Sequence, residues 1–219
     1  MDLKLKTYFC SLTKDHLLRF YVRLRIIIAI TLGGDPVAYT KRHRDIFNKG
    51  EYLEKEKIYF LGRTGEYGTI AKLYRYGIDA FLTNGNRKAF DIIATKNHKN
   101  AYIQVKTSKE QSFPTRFFQK YYDNEIPSPD FWVFVYSFPE TNWVYKERYF
   151  ILAHEELKQI QGQFVLPYFK KEGASTIEDV MRIEKDKILN KKPVGVDKIP
   201  LNLISSYEDR FDKIWNFLN

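Results

Sequence analysis

Residues 89–107 read AFDIIATKNHKNAYIQVKT, two short runs rich in isoleucine, valine, threonine and aromatic residues around a five-residue polar insert, Lys96 to Asn100. Runs of this composition around such an insert are read as two antiparallel strands joined by a tight turn. Side chains alternate across a strand, so Phe90, Ile92 and Ala94 share one face of the first run and Asp91, Ile93 and Thr95 the other. In the second run Ala101, Ile103 and Val105 oppose Tyr102, Gln104 and Lys106. Gln104 and Lys106 therefore project from the same side of one strand, beside a strand that carries a carboxylate.

Upstream, Tyr67, Ile70, Ala71 and Tyr74 fall at helical spacing, which predicts a helix over 63–76 with those four on its buried face. Gly77 stands where a left-handed cap closes a helix, and residues 78–83 (IDAFLT) read as a strand ended by Asn84 and Gly85. Glu66 lies one turn before Ile70, at the border of that face. Downstream, Phe117, Phe118 and Tyr121 predict a short core-facing helix near 116–122. Residues 131–136 (FWVFVY) are the unbroken apolar run of a strand covered on both sides, and 148–152 add another. A helix starts at His154, residues 161–200 read as loop-rich and lysine-rich, and Phe211, Ile214, Trp215 and Leu218 predict a packed terminal helix. This order of elements gives an α/β fold, a central mixed β-sheet flanked by helices, with N- and C-terminal extensions. The expected divisions are a basic extension over 1–60, the core over 61–160 and a C-terminal extension over 161–219.

Composition narrows the classes. The 219-residue chain has 44% hydrophobic residues, 11 glycines and 8 prolines with no repeat, so it carries enough apolar surface for a core and is neither collagen-like nor solenoidal. One cysteine, Cys10, excludes an internal disulfide and a multi-cysteine zinc site, as suits a reducing cytoplasmic setting. The longest apolar run, near residues 25–32, is far short of the ~20 residues a membrane helix needs, so no membrane partner is expected. The formal charge is +9, concentrated in residues 1–50 and 86–120, each net +6. Such stretches suit a polyanionic partner or simply a solvated surface. Neither a Walker pattern nor G-x-G-x-x-G is present, and the four histidines share no ligand spacing.

Glu66 on a helix, Asp91 on one strand and Gln104 with Lys106 on its neighbour are group types that phosphodiester hydrolysis uses. Hard divalent cations take oxygen ligands, and a nearby lysine can orient the attacking water or offset developing charge. Taken singly, each residue has an ordinary reading: Asp91 as a hairpin-edge carboxylate, Lys106 as an edge gatekeeper, Gln104 as a backbone partner, Glu66 as a first-turn acid on a helix dipole.

Together, Gly65-Glu66, Phe90-Asp91-Ile92-Ile93 and Tyr102-Ile103-Gln104-Val105-Lys106-Thr107 resemble the PD-(D/E)XK nuclease superfamily, the restriction-endonuclease-like fold, in its Q-x-K form. The resemblance covers roughly residues 61–160. It implies Asp91 as principal metal ligand, Gln104 as second ligand, the Val105 carbonyl and Glu66 as further ligands, and Lys106 as the catalytic lysine. The implied cofactor is Mg²⁺, with Mn²⁺ able to substitute. The implied activity is metal-dependent endonucleolytic cleavage of DNA, with RNA left open, and cutting both strands of a duplex would call for a homodimer. Arg87, Lys88, Lys96, Lys99, Lys109, Arg116 and Lys120 are the expected phosphate contacts. Gln104 supplies no charge, so two other readings stay open. One is a non-catalytic nucleic-acid-binding module on the same fold; the other is a protein-interaction subunit of a defence or repair assembly.

Overall fold

In a computed structural model of the chain, residues 36–83, 90–121, 126–141, 144–192 and 197–219 are described, with side chains from residue 55 onward. The hairpin is present as β2 (Ile92–Lys96) and β3 (Lys99–Ser108), paired antiparallel with Ile92 opposite Ile103 and Lys96 opposite Lys99. Asn97 and His98 make the turn with φ of 50° and 63°. Two successive left-handed residues are what a two-residue loop needs to match strand twist. On one side, β1 (Asp79–Leu82) pairs antiparallel with β2. On the other, β5 (Phe131–Pro139) runs parallel to β3, and β6 (Tyr145–Ala153) closes the sheet antiparallel to β5. The strand order is β1-β2-β3-β5-β6, so the apolar run 131–136 lies inside the sheet as its composition predicts. A second, two-stranded sheet pairs β4 (Ser112–Pro114) with β7 (Lys198–Pro200).

Helices cover both faces. Helix α1 (Pro36–Arg75) ends with Leu73 in a core that contains Ile92, Ala94, Ile103, Val105, Val133 and Val135, and α5 (Asp212–Leu218) adds Ile214 and Leu218 to it. On the other face Trp132, Phe134, Phe150 and Leu152 meet the short α2 (Phe117–Lys120), α3 (His154–Phe169) and α4 (Ile177–Leu189). Phe117, Phe118 and Tyr121 are buried there, as expected of core residues. Two compact units divide the chain, Met1–Lys57 and Ile58–Asn219; all of the sheet and residues 161–219 belong to the second. No helix among the described residues is long and apolar enough to cross a membrane.

Four expectations are corrected. The helix read over 63–76 begins at Pro36, so Glu66 lies well inside it and not in its first turn. The buried stripe of α1 is Gly65, Thr69 and Leu73, whereas Tyr67 and Tyr74 are 60% and 50% exposed. Small residues on this stripe let the helix lie close against the sheet, which bulky tyrosines would prevent: a Cβ on Gly65 would overlap the Thr107 hydroxyl, and one on Gly68 the Tyr149 hydroxyl. Residues 161–200 are not mainly loop. Helix α3 continues to Phe169, and α4 begins at a capping box in which the Thr176 hydroxyl accepts from Asp179 N–H at 3.1 Å while Asp179 accepts from Thr176 N–H. Trp215 is 40% exposed, its ring under the Lys96 ammonium, while Phe211, Ile214 and Leu218 supply the packing.

Candidate active site

Asp91 lies just before β2, where its N–H donates to the Ile103 carbonyl and its carbonyl accepts from Thr83 N–H, both at 2.9 Å. The residue is thereby fixed between the end of β1 and the middle of β3. Its carboxylate accepts the Val105 N–H at 2.8 Å and the side-chain amide of Gln104. The same Gln104 amide reaches the Val105 carbonyl at 3.4 Å. Three groups named from the sequence, Asp91, Gln104 and Val105, thus meet at one point on the hairpin, with the amide nitrogen of Gln104 turned toward the other two. Gln104 is 4% exposed because parallel pairing sets it beside Trp132, and Lys106 sits beside Phe134 in the same way. The aromatic half of the sheet therefore forms one wall around the polar half.

Glu66 enters from α1. It pairs with Arg63 at 2.7 Å, and its side chain is 18% exposed. Burial raises its pKa, and the charge of Asp91 raises it further against the pull of Arg63 and Lys106. Gly65 explains the approach: with no Cβ it rests on Thr107 of β3, one residue past Lys106. Asp91 itself is raised by burial, opposed by the Val105 N–H and by the charges of Lys106, Lys120 and Arg63. Burial lowers the Lys106 pKa; Asp91 pulls it back up, while Lys120 and Arg116 depress it further. Lys120 is lowered by burial too. The site is a half-desolvated meeting of two carboxylates with four cationic side chains, Arg63, Lys106, Arg116 and Lys120.

The expected phosphate contacts separate into groups. Arg116 and Lys120 lie within electrostatic range of Lys106, and Lys120 also of Asp91. Lys96 and Lys99 flank the hairpin turn, five strand positions from Asp91 and Gln104, so roughly 17 Å from the site at the rise of a strand. Lys109 is exposed and stands over the Tyr145 ring at 5.3 Å. Arg87 and Lys88 lie outside the described residues.

One neighbour has no counterpart in the reading of the sequence. Asp197 arrives from the C-terminal part of the chain, and its charge acts on both Lys106 and Lys120. No local pattern marks it, because its partners Thr115, Phe117 and Gln161 are 36 to 82 residues away.

Groups of this kind fit a hard divalent cation: a half-buried carboxylate, a second carboxylate made harder to ionise by burial and by the first, a side-chain amide and a backbone carbonyl. Among the described residues no three His, Cys, Asp or Glu side chains gather as a metal cluster, so a cation here would need the Val105 carbonyl beside the carboxylates, and the Gln104 oxygen would join them only with its amide turned over.

No protein-family model matches the chain, and no curated protein matches it. Among solved structures, the Holliday junction resolvase Hjc of the archaeal hyperthermophile Archaeoglobus fulgidus is similar at 16% sequence identity and a TM-score of 0.30, over 43% of this chain and 73% of that one.

Proposed function

We propose that the protein is a metal-dependent nuclease that hydrolyses phosphodiester bonds in DNA, with its reacting centre at Asp91, Gln104 and Lys106. The observation that carries this reading is the meeting of Asp91, the Gln104 amide and the Val105 backbone on one hairpin, with Lys106 on the same strand and Glu66 within electrostatic range of Asp91. Asp91, Gln104, the Val105 carbonyl and Glu66 are the groups that would hold Mg²⁺ or Mn²⁺. When bound, such an ion polarises a phosphoryl oxygen and acidifies a water.

The remaining work falls to the chain's own side chains. Lys106, half-buried and paired across the sheet with Phe134, presents an ammonium whose charge would offset the negative charge that builds on the phosphoryl oxygens. Asp91 is pre-set by the Val105 N–H, so its free lone pairs keep one direction without a side-chain search. The cationic groups near Lys106, Arg116 and Lys120, would contact the backbone of the strand being cut, a sequence-independent contribution to binding.

Cleavage of supercoiled and linear plasmid in Mg²⁺, Mn²⁺ or EDTA tests the reading, with Lys106→Ala alongside wild type. Cutting that needs the metal and disappears in Lys106→Ala is the expected result. Retained DNA binding without cutting under either metal would overturn it in favour of a binding module on the same fold, because the uncharged Gln104 leaves this site one anionic donor short.

A further inference from the structure

Arg116 occupies the left-handed region, with φ 53° and ψ 32°, at the entry to α2. A non-glycine residue there is strained, and glycine would hold the same turn without strain. The strain is offset by Asp197. Its backbone carbonyl accepts from Thr115 N–H at 2.9 Å and from Arg116 N–H at 3.3 Å. Its Oδ1 accepts from the Thr115 hydroxyl at 2.9 Å, Phe117 N–H at 2.6 Å and the Gln161 amide at 3.0 Å. Three successive backbone N–H groups, of Thr115, Arg116 and Phe117, are thus gathered on one residue. The same carboxylate takes the place of an N-cap for α2, the helix that carries Lys120.

The second oxygen, Oδ2, is buried and has no hydrogen-bond partner. An acceptor held in this way costs stability, and the turn it holds is strained as well. Packing alone does not account for both. The side chains that the turn delivers do: Arg116 and Lys120 both act on Lys106, and their mutual repulsion is relieved by an anion placed among them.

We propose that Asp197 is a positioning residue of the candidate site, clamping the Thr115–Phe117 turn so that Arg116 and Lys120 grip the phosphate engaged at Asp91 and Lys106. This inference rests on the nuclease reading. It adds a contribution from residues outside 61–160, the span over which the sequence motifs lie. Arg116 and Lys120 belong to the binding surface; Asp197 touches no substrate and acts through them.

The test uses the full chain and two readouts, Mg²⁺-dependent plasmid cleavage and the anisotropy of a short labelled DNA duplex in EDTA at 50 to 200 mM salt. Misplacing such a group costs on the order of 10²-fold in rate. Asp197→Ala is expected to lose about that factor in the wild-type background and little in an Arg116→Ala/Lys120→Ala background, the non-additivity of residues that act as one unit. Equal losses in both backgrounds, or no loss in either, would overturn the proposal. Arg116→Gly guards against misfolding. It relieves the strained turn, so its melting temperature should equal or exceed that of wild type, while its affinity falls and the slope of log Kd against log salt shrinks by about 0.9, the loss of one phosphate contact. Wild-type affinity and salt slope in Arg116→Gly would also overturn it. If wild type binds DNA without cutting, the nuclease reading fails, and the same cycle on Kd decides the role of Asp197. Absence of both binding and cutting overturns both.

Discussion

The Val105 N–H donates to the Asp91 carboxylate at 2.8 Å across the hairpin, so one strand's backbone aims the other strand's side chain. That bond favours the ionised form of Asp91, and burial more than cancels it. Ionised Asp91 therefore costs stability until a cation arrives. Asp91→Asn should abolish metal-dependent cleavage and yet melt at or above the wild-type temperature in EDTA, the trade expected where a charge is kept for function. In saturating Mg²⁺ wild type should gain stability by mass action, about 2.7 kcal/mol at a hundredfold excess over Kd, and Asp91→Asn should gain almost none. Melting curves of both proteins with Mg²⁺ and with EDTA check this; equal gains would place the cation elsewhere.

Gly65 and Thr107 set how near α1 can come to β3. A methyl on Gly65 would overlap the Thr107 hydroxyl, and overpacking of this kind typically costs 1–3 kcal/mol, so roughly that loss is expected for Gly65→Ala. The Thr107 hydroxyl is buried without a hydrogen-bond partner, so Thr107→Val should stabilise by about 1 kcal/mol. Thr107→Ala in the Gly65→Ala background should recover part of the loss, since it removes the atom in closest conflict. Chemical denaturation of wild type and the three variants gives the numbers. Recovery of cleavage along with stability would show that the helix carries Glu66 into place.

How far the sequence was legible follows the range of the interactions. The period-2 pattern of 89–107 predicts the hairpin, its burial parity and the shared side of Gln104 and Lys106, because strand alternation is a property of the local backbone. Helical spacing shows a helix through 63–75, but neither its start, at Pro36, nor its buried face was legible. Hydrophobic spacing points to the tyrosines, whereas close packing selects Gly65 and Thr69. Helix α4 had a readable start in Thr176 and Asp179, yet its lysines and glutamates resemble a loop when burial is unknown. Asp197 had no signal at all. Its importance comes from contacts 36 to 82 residues away, which only the folded chain creates.

His154 gives a pH dependence whose sign is fixed by burial. Its ring packs on Phe117 and Tyr121, and its Nδ1 accepts from the Trp132 indole at 3.2 Å. Burial lowers its pKa below the ordinary histidine value of 6.5, with Lys158 lowering and Glu155 raising it by smaller amounts. The unfolded chain therefore takes up this proton first as pH falls. The contribution of His154 to stability is complete above pH 6.5 and is lost as pH falls through the folded-state pKa. Melting temperature should drop between pH 7.5 and 5.5 more steeply in wild type than in His154→Phe, which keeps the aromatic packing and cannot titrate. Parallel curves would assign the acid sensitivity to other groups.

Gln104→Glu separates the energetics of the fold from those of the site. In the wild-type hairpin the Gln104 amide donates to Asp91, and a glutamate there removes the donor and sets a second carboxylate against the first. Without metal the variant should be less stable by about 1–3 kcal/mol, the cost of a buried acceptor deprived of its partner, with like-charge repulsion added. With Mg²⁺ the order should reverse, because the added anionic oxygen is a better ligand for a hard cation than the amide it replaces. The variant should then show a larger Mg²⁺-induced rise in melting temperature than wild type and reach its full cleavage rate at lower metal concentration. Loss of stability under both conditions would mean that the amide at Gln104 is kept for its hydrogen bond to Asp91 and not as a metal ligand.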